Sequence, residues 1–172
     1  MPFTPFHMGP ALLLKGAARQ RFSLLVFGGS QVLIDLDPLV RILRGDAILH
    51  GFTHTLTGAF LVGLVAAAIG RPLSNWFLGL LRRESRERWA APLLRGDVTW
   101  GVALASAWIG TGSHLVLDGI MHADIRPLAP VTDANPLHGL LGLGTLHLFC
   151  LAAGAIGAIG VIVGSVADAS GG

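Results

Sequence analysis

The sequence predicts an all-α membrane protein: a small polytopic bundle of about five helices, the first two forming a hairpin. Three observations lead there. Hydrophobic residues make up 52% of the 172 positions and charged residues only 13%. Ordinary soluble domains carry about twice that charge. The mean hydropathy is +0.67, and the apolar runs are too long and too free of charge for soluble strands or helices. At this length residues 1–172 make one domain, with no room for two independent cores.

The elements follow in order. The first helix is expected from about Pro10 to Ala18, with Pro10 in a first-turn position. It is too short to cross a bilayer alone. Arg19-Gln20-Arg21 turns the chain, and a second helix runs from about Phe22 to Ile34, stopped by Pro38. A polar loop is expected from Arg41 to His50. The third helix starts near Thr53 and runs to about Leu81, with Arg71-Pro72 kinking or dividing it. The fourth covers Val98 to about Met121. A Pro-rich loop through Pro127, Pro130 and Pro136 leads to the last helix, Gly139 to Ala167. There the spacing of Gly154, Gly157, Gly160 and Gly164 suits close helix approach.

Charge gives the orientation. Lys15, Arg19 and Arg21 cluster in one turn, and five arginines lie between Arg82 and Arg95. Beside membrane spans such clusters face the cytoplasm, which puts the other bundle end on the periplasmic side. Trp76, Trp89 and Trp100 read as an interfacial aromatic belt around the basic loop rather than a base-stacking surface, so no nucleic-acid partner is expected. Membrane lipids are. Glu84 and Glu87 among the arginines suit pairing on a helix surface. The single Cys150 excludes an intrachain disulfide and a cysteine metal cluster. The N-terminus has no basic leader before its first apolar stretch. A phosphate-binding glycine loop and a Gly-x-Ser-x-Gly turn are both missing.

The chemistry-bearing residues gather at the end opposite the basic clusters. Asp35 and Asp37 close the second apolar run, where an uncompensated carboxylate costs several kcal/mol and marks a functional site. His50 and His54 are four apart; if the segment is helical they share a face, about 6 Å from each other. His114 and Asp118 repeat that spacing inside an apolar helix, and His7 opens the chain's first helix. Each histidine alone could be a hydrogen-bonded structural residue. Together the set suits a divalent metal: zinc, manganese or iron for imidazole, with magnesium accepted by carboxylates, as one ion or two. His122 or Asp124 would serve as ligand, general base or orienting group, and Arg126 would hold a phosphate. A plain solvated loop is the alternative for these three. His138 is expected to cap the last helix. His147 lies about 13 Å into that helix, level with His114, as a further ligand or a packing hydrogen bond.

The order of these motifs resembles a known family. A His opens the first helix (His7), Asp-x-Asp closes the second (Asp35, Asp37) and His-x-x-Thr-His opens the third (His50, Thr53, His54). Ser-His-x-x-x-Asp follows (Ser113, His114, Asp118), then a Pro-containing loop. The pattern, from His7 to about Pro130, resembles the bacterial inner-membrane metal-dependent hydrolases, the group that includes the LexA-regulated hydrolase. The resemblance implies a metal-dependent hydrolytic activity, distantly like that of helical zinc phospholipases C. It implies His7, Asp35, Asp37, His50, His54, His114 and Asp118 as metal-site residues. Ile34 stands where the family often has Pro. The family's arginine after the first His of the third motif is missing, and Thr55 replaces a serine.

The expected function is a membrane-embedded hydrolase cleaving a phosphoester of a lipid or lipid-like substrate. Asp35, Asp37, His54, His114 and Asp118 would hold metal with His7 completing the set, while His50 or Asp124 moves protons. The alternatives are a small metal or proton transporter using the same residues, and a structural membrane protein with a stabilising metal.

Overall fold

The computed structural model describes residues 5–84, 94 and 96–170. These are helical, and no strand occurs among the described residues: α1 (Met8–Ala18), α2 (Leu24–Ile34), α3 (Leu36–Arg44), α4 (Leu56–Glu84), α5 (Trp100–Met121) and α6 (Leu143–Ser170). Short 3₁₀ turns lie at Pro5–His7, Arg19–Arg21 and Phe52–His54. Trp89, Glu87 and most of the basic loop fall outside the described residues.

The hairpin of α1 and α2 is closed by the Arg19–Arg21 turn. Lys15 Nζ reaches across it and donates to the carbonyls of Arg19 (2.8 Å) and Phe22 (3.0 Å), tying the two arms of the turn together. Ser23 caps α2 by accepting from the Val26 N–H, and Thr99 caps α5 by accepting from the Val102 N–H. Such caps contribute about 1 kcal/mol each.

The second helix ends differently from the sequence expectation. The break falls at Asp35, three residues before Pro38, and α3 then resumes at Leu36. Pro38 sits in the first turn of α3, where an amide hydrogen has no helical acceptor and its loss costs little. The expected loop from Arg41 is therefore helical as far as Arg44, and Gly45 ends it in the left-handed conformation (φ 73°).

The third expected helix is undivided. α4 runs 29 residues, about 42 Å, with Pro72 inside it. Neighbouring helices tolerate proline in such an apolar segment. The last helix starts at Leu143 rather than Gly139, because Gly139 (φ 75°) turns the chain first. Both α4 and α6 are long and apolar enough to cross a membrane, and most of their surface is not covered by the rest of the bundle. Trp76 and Trp100 are exposed. The Trp100 ring lies beneath the Arg71 guanidinium at 4.7 Å.

Packing is tight because small residues line the crossings. α2, α4 and α5 meet through Val26, Ala66, Ala67, Ala103 and Ala107. A Cβ on Gly110 of α5 would strike Ser30 and Phe27 of α2. α1 packs chiefly along α6, where a Cβ on Gly157 would overlap the backbone of Leu12 and Leu13, and one on Gly9 the carbonyl of Cys150. The expected small-residue face of the last helix is this contact. Ile34, Ala59, Leu115 and Ile125 form a separate apolar floor from the same elements that carry the acidic and imidazole groups.

Candidate metal centre

Four elements bring their polar residues to one point. Asp35 is the hinge between α2 and α3, so its backbone leaves the helix as its side chain turns inward. His54 ends the 3₁₀ turn before α4, and the helical spacing of His114 and Asp118 puts both on the buried face of α5. One ligand atom from each of Asp35, His54, His114 and Asp118 lies within 4.8 Å of the others, and all four residues are buried. His114 Nε2 is 3.2 Å from both Asp35 Oδ1 and Asp118 Oδ2. His54 Nε2 is 3.8 Å from Asp35 Oδ1 and 3.7 Å from Asp118 Oδ2.

His7, from the turn before α1, joins this group from the side. Its Nε2 is 3.3 Å from Asp118 Oδ1, and its ring meets that of His114 edge-on at 4.8 Å. A second group shares Asp118: His50, Asp118 and His122 also place one ligand atom each within 4.8 Å. The His50 ring stands 4.8 Å from that of His54 and 4.6 Å from that of His122.

The outer nitrogens of two rings are already committed. Gln31 Nε2 donates to the Gly110 carbonyl, so its Oε1 accepts from His114 Nδ1 at 2.6 Å. The Thr53 hydroxyl donates to the Ile34 carbonyl (2.9 Å) and accepts from His54 Nδ1 (3.1 Å). Each ring in its neutral form then turns a bare Nε2 lone pair toward the carboxylates. Around a bound ion these partners would play the part of the outer hydrogen bonds of metal-bound histidines.

The inner atoms fit a cation. His7 Nε2, His54 Nε2, His114 Nε2 and Asp118 Oδ1 are buried without a hydrogen-bond partner. Leaving such atoms unsatisfied costs about 1–3 kcal/mol each. A positive ion among them would remove that penalty and the repulsion between two buried carboxylates. The group could hold a metal ion: its donors are imidazole nitrogen and carboxylate oxygen.

The remaining expected site residues are placed as follows. Asp37 lies outside both groups. Its Oδ1 takes the Arg41 Nε–H at 2.8 Å, one helical turn along α3, and its Oδ2 is 3.4 Å from the Thr53 hydroxyl. Asp124 Oδ1 accepts from His50 Nδ1 at 2.8 Å, and its Oδ2 accepts the Leu49 and His50 N–H groups. Partial burial pushes the Asp124 carboxyl up. The His50 ring and these two backbone N–H groups outweigh it and hold the carboxyl below the usual carboxylate range. Arg126 pairs with Asp133 at 3.1 Å on the surface. His147 packs on the Phe6 ring at 4.5 Å, in neither donor group. His138 is exposed and precedes the start of α6 by too far to cap it.

Sequence reasoning passed over Gln31 and the role of Thr53. Gln31 is one turn before Asp35 on a helix whose other residues, Ser30 apart, are apolar, a signal as informative as the aspartate itself. Thr53 adjoins His54 and could have been read as its orienting hydroxyl.

No curated protein and no solved structure matches this chain. A family model does match, over residues 4–168, and it covers both donor groups and every helix that positions them: the chain belongs to the YdjM inner membrane protein family.

Proposed function

We propose that this protein is a multi-pass, membrane-embedded, metal-dependent hydrolase that cleaves a phosphoester of a lipid or lipid-like substrate. The observation that carries the reading is the convergence of ligand atoms from Asp35, His54, His114 and Asp118 within 4.8 Å of one another, with the outer Nδ1 atoms of His54 and His114 already engaged. Asp35, His54, His114 and Asp118 would hold a divalent ion, zinc first by donor type, with manganese, iron or magnesium as alternatives. His7 adds a donor beside Asp118. His50 and His122 would hold a second ion with Asp118 as the shared carboxylate. Bound there, such an ion supplies a water of lowered pKa and charge stabilisation for a phosphoryl oxygen.

The chain's own residues supply the rest. His50 and Asp124 form a dyad at the edge of the centre, with His50 Nδ1 fixed on the carboxylate. That leaves His50 Nε2 to take or give a proton at the reacting group. Gln31 and Thr53 keep the buried rings from rotating. Ile34, Ala59, Leu115 and Ile125 keep water out of the bundle behind them.

The basic turn at Lys15–Arg21 and the Arg82 end of α4 lie at the opposite end of the bundle. Under the positive-inside rule this orients the centre to the periplasmic side. α3 fits a position in the plane of the interface. Its Asp37–Arg41 pair is tied to the chain while Leu36, Val40 and Leu43 face outward.

The test is turnover. Purified protein should cleave a phosphoester in the presence of zinc or manganese, with activity abolished by chelation and lost in Asp35→Asn and His114→Ala. Ion flux in proteoliposomes without turnover would instead make the same residues a transit site.

A further inference from the structure

An open cavity of about 450 Å³ lies between the His50–Thr57 segment and the Arg126–Pro130 turn. That is within the range of small-ligand sites. Its wall is mostly apolar, with Ile48, Phe52 and Pro130 prominent, and among the described residues that line it Arg126 is the one full cation. His50 lines it and also belongs to the donor group with Asp118 and His122. The cavity is therefore joined to the candidate centre through one side chain.

Two features define what fits. The first is charge. Among the described residues Arg126 pairs with Asp133, and both side chains are exposed. Exposed pairs of this kind are worth little, so the guanidinium is free to exchange its carboxylate for a phosphate, which it can grip with two parallel N–H bonds. The second is what lies below. Thr57 lines the cavity from the first turn of α4, and Phe60, Leu61 and Leu64 follow it at helical spacing, all exposed. From Thr57 to Leu64 this stripe descends about 10 Å along a helix apolar enough to span the membrane.

We infer that the cavity is a binding subsite for an anionic membrane lipid. The headgroup phosphate sits on Arg126 beside His50, and an acyl chain lies along the Thr57–Leu64 stripe of α4. This deepens the hydrolase reading, on which its catalytic meaning rests: the lipid reaches the centre sideways from the bilayer, without leaving it. A soluble phosphoester would satisfy Arg126 but leave the apolar wall and stripe unused.

The experiment reads occupancy independently of turnover. Full-length protein in phosphatidylcholine nanodiscs is irradiated with phosphatidic acid carrying a diazirine on its acyl chain, and the labelled peptides are mapped. Labelling should concentrate on residues 52–64, above the level on the outward residues Leu148, Leu151 and Ile159 of α6. It should fall about tenfold in Arg126→Gln, recover in part in Arg126→Lys, and fall in Thr57→Trp, which fills the cavity from an accessible position. Labelling of α6 should not change in any variant. Uniform labelling of α4 and α6, or an Arg126→Gln protein labelled like the wild type, would overturn the inference. Cleavage of a soluble phosphoester together with uniform labelling would keep the hydrolase and remove the lipid subsite. Concentrated, Arg126-dependent labelling without any cleavage would keep the subsite and remove the hydrolase.

Discussion

Gln31 Oε1 lies 2.6 Å from His114 Nδ1, across the α2–α5 crossing, and the same amide donates to the Gly110 carbonyl. An amide buried in an apolar bundle is thereby satisfied at both ends, and it fixes which nitrogen of His114 faces the carboxylates. Gln31→Leu removes that constraint with little change in volume. Metal affinity should fall about 10–100-fold, the usual effect of losing an outer hydrogen bond to a metal-bound histidine. Gln31→Glu, which can still accept, should retain most of it. Competition against a chromogenic chelator measures both, and an unchanged affinity in Gln31→Leu would show that the amide has only a packing role.

Thr53 does the same for His54. Its hydroxyl stands between His54 Nδ1 and the Ile34 carbonyl. Thr53→Val keeps the shape and leaves a buried N–H unpaired, at a cost of about 1–3 kcal/mol. Thr53→Ser keeps the hydroxyl and should cost much less. Thermal unfolding in detergent should rank the proteins wild type, Ser, Val, and a Val variant as stable as Ser would remove the hydroxyl from the account.

The seam between α1 and α6 makes a separate prediction about stability. A Cβ at Gly157 meets backbone, which cannot swing aside, whereas one at Gly144 meets nothing within 4 Å. Gly157→Ala should destabilise the protein by about 1–3 kcal/mol, as overpacking does, and Gly144→Ala should not. Because α1 is preceded directly by His7, Gly157→Ala should also weaken metal binding. Equal unfolding temperatures for the two variants would contradict the packing seen here.

Chelation provides a fourth check. A ligand that binds only the folded protein stabilises it by about 2.7 kcal/mol at a hundredfold excess over its dissociation constant. Dialysis against a strong chelator should therefore lower the unfolding temperature of the wild type, and zinc should restore it. Asp118→Asn, which strips the carboxylate shared by both donor groups, should show no response to either treatment. A response equal to that of the wild type would place the stabilising metal elsewhere.

Much of this was legible in the sequence because polar residues are conspicuous in an apolar chain. Asp35, His54, His114 and Asp118 stand out by their positions at segment ends, and the fold brings those four together. Helical spacing was enough to pair His114 with Asp118. It could not distinguish Asp35 from Asp37. The two are two residues apart, and only the break at Asp35 turns one inward while α3 carries the other onto Arg41. Proline misleads at Pro38, which lies in the first turn of a helix, where a missing N–H is tolerated, while Pro72 lies inside a long apolar helix that it does not divide. Gln31 was hidden because its role is a tertiary contact with α5. Nothing local to α2 reveals which helix will cross it, or that the glycine at position 110 lets the two approach closely enough for the amide to reach His114.

The most direct measurement is elemental analysis of the protein purified without added metal, beside His114→Ala and Asp118→Asn purified in the same way. The expected result is about one to two equivalents of a divalent transition metal per chain in the wild type, falling to a small fraction in both variants while they remain folded. A folded wild type with no bound metal, which also takes up none from micromolar zinc, manganese or iron, would contradict the reading of these buried side chains as ligands.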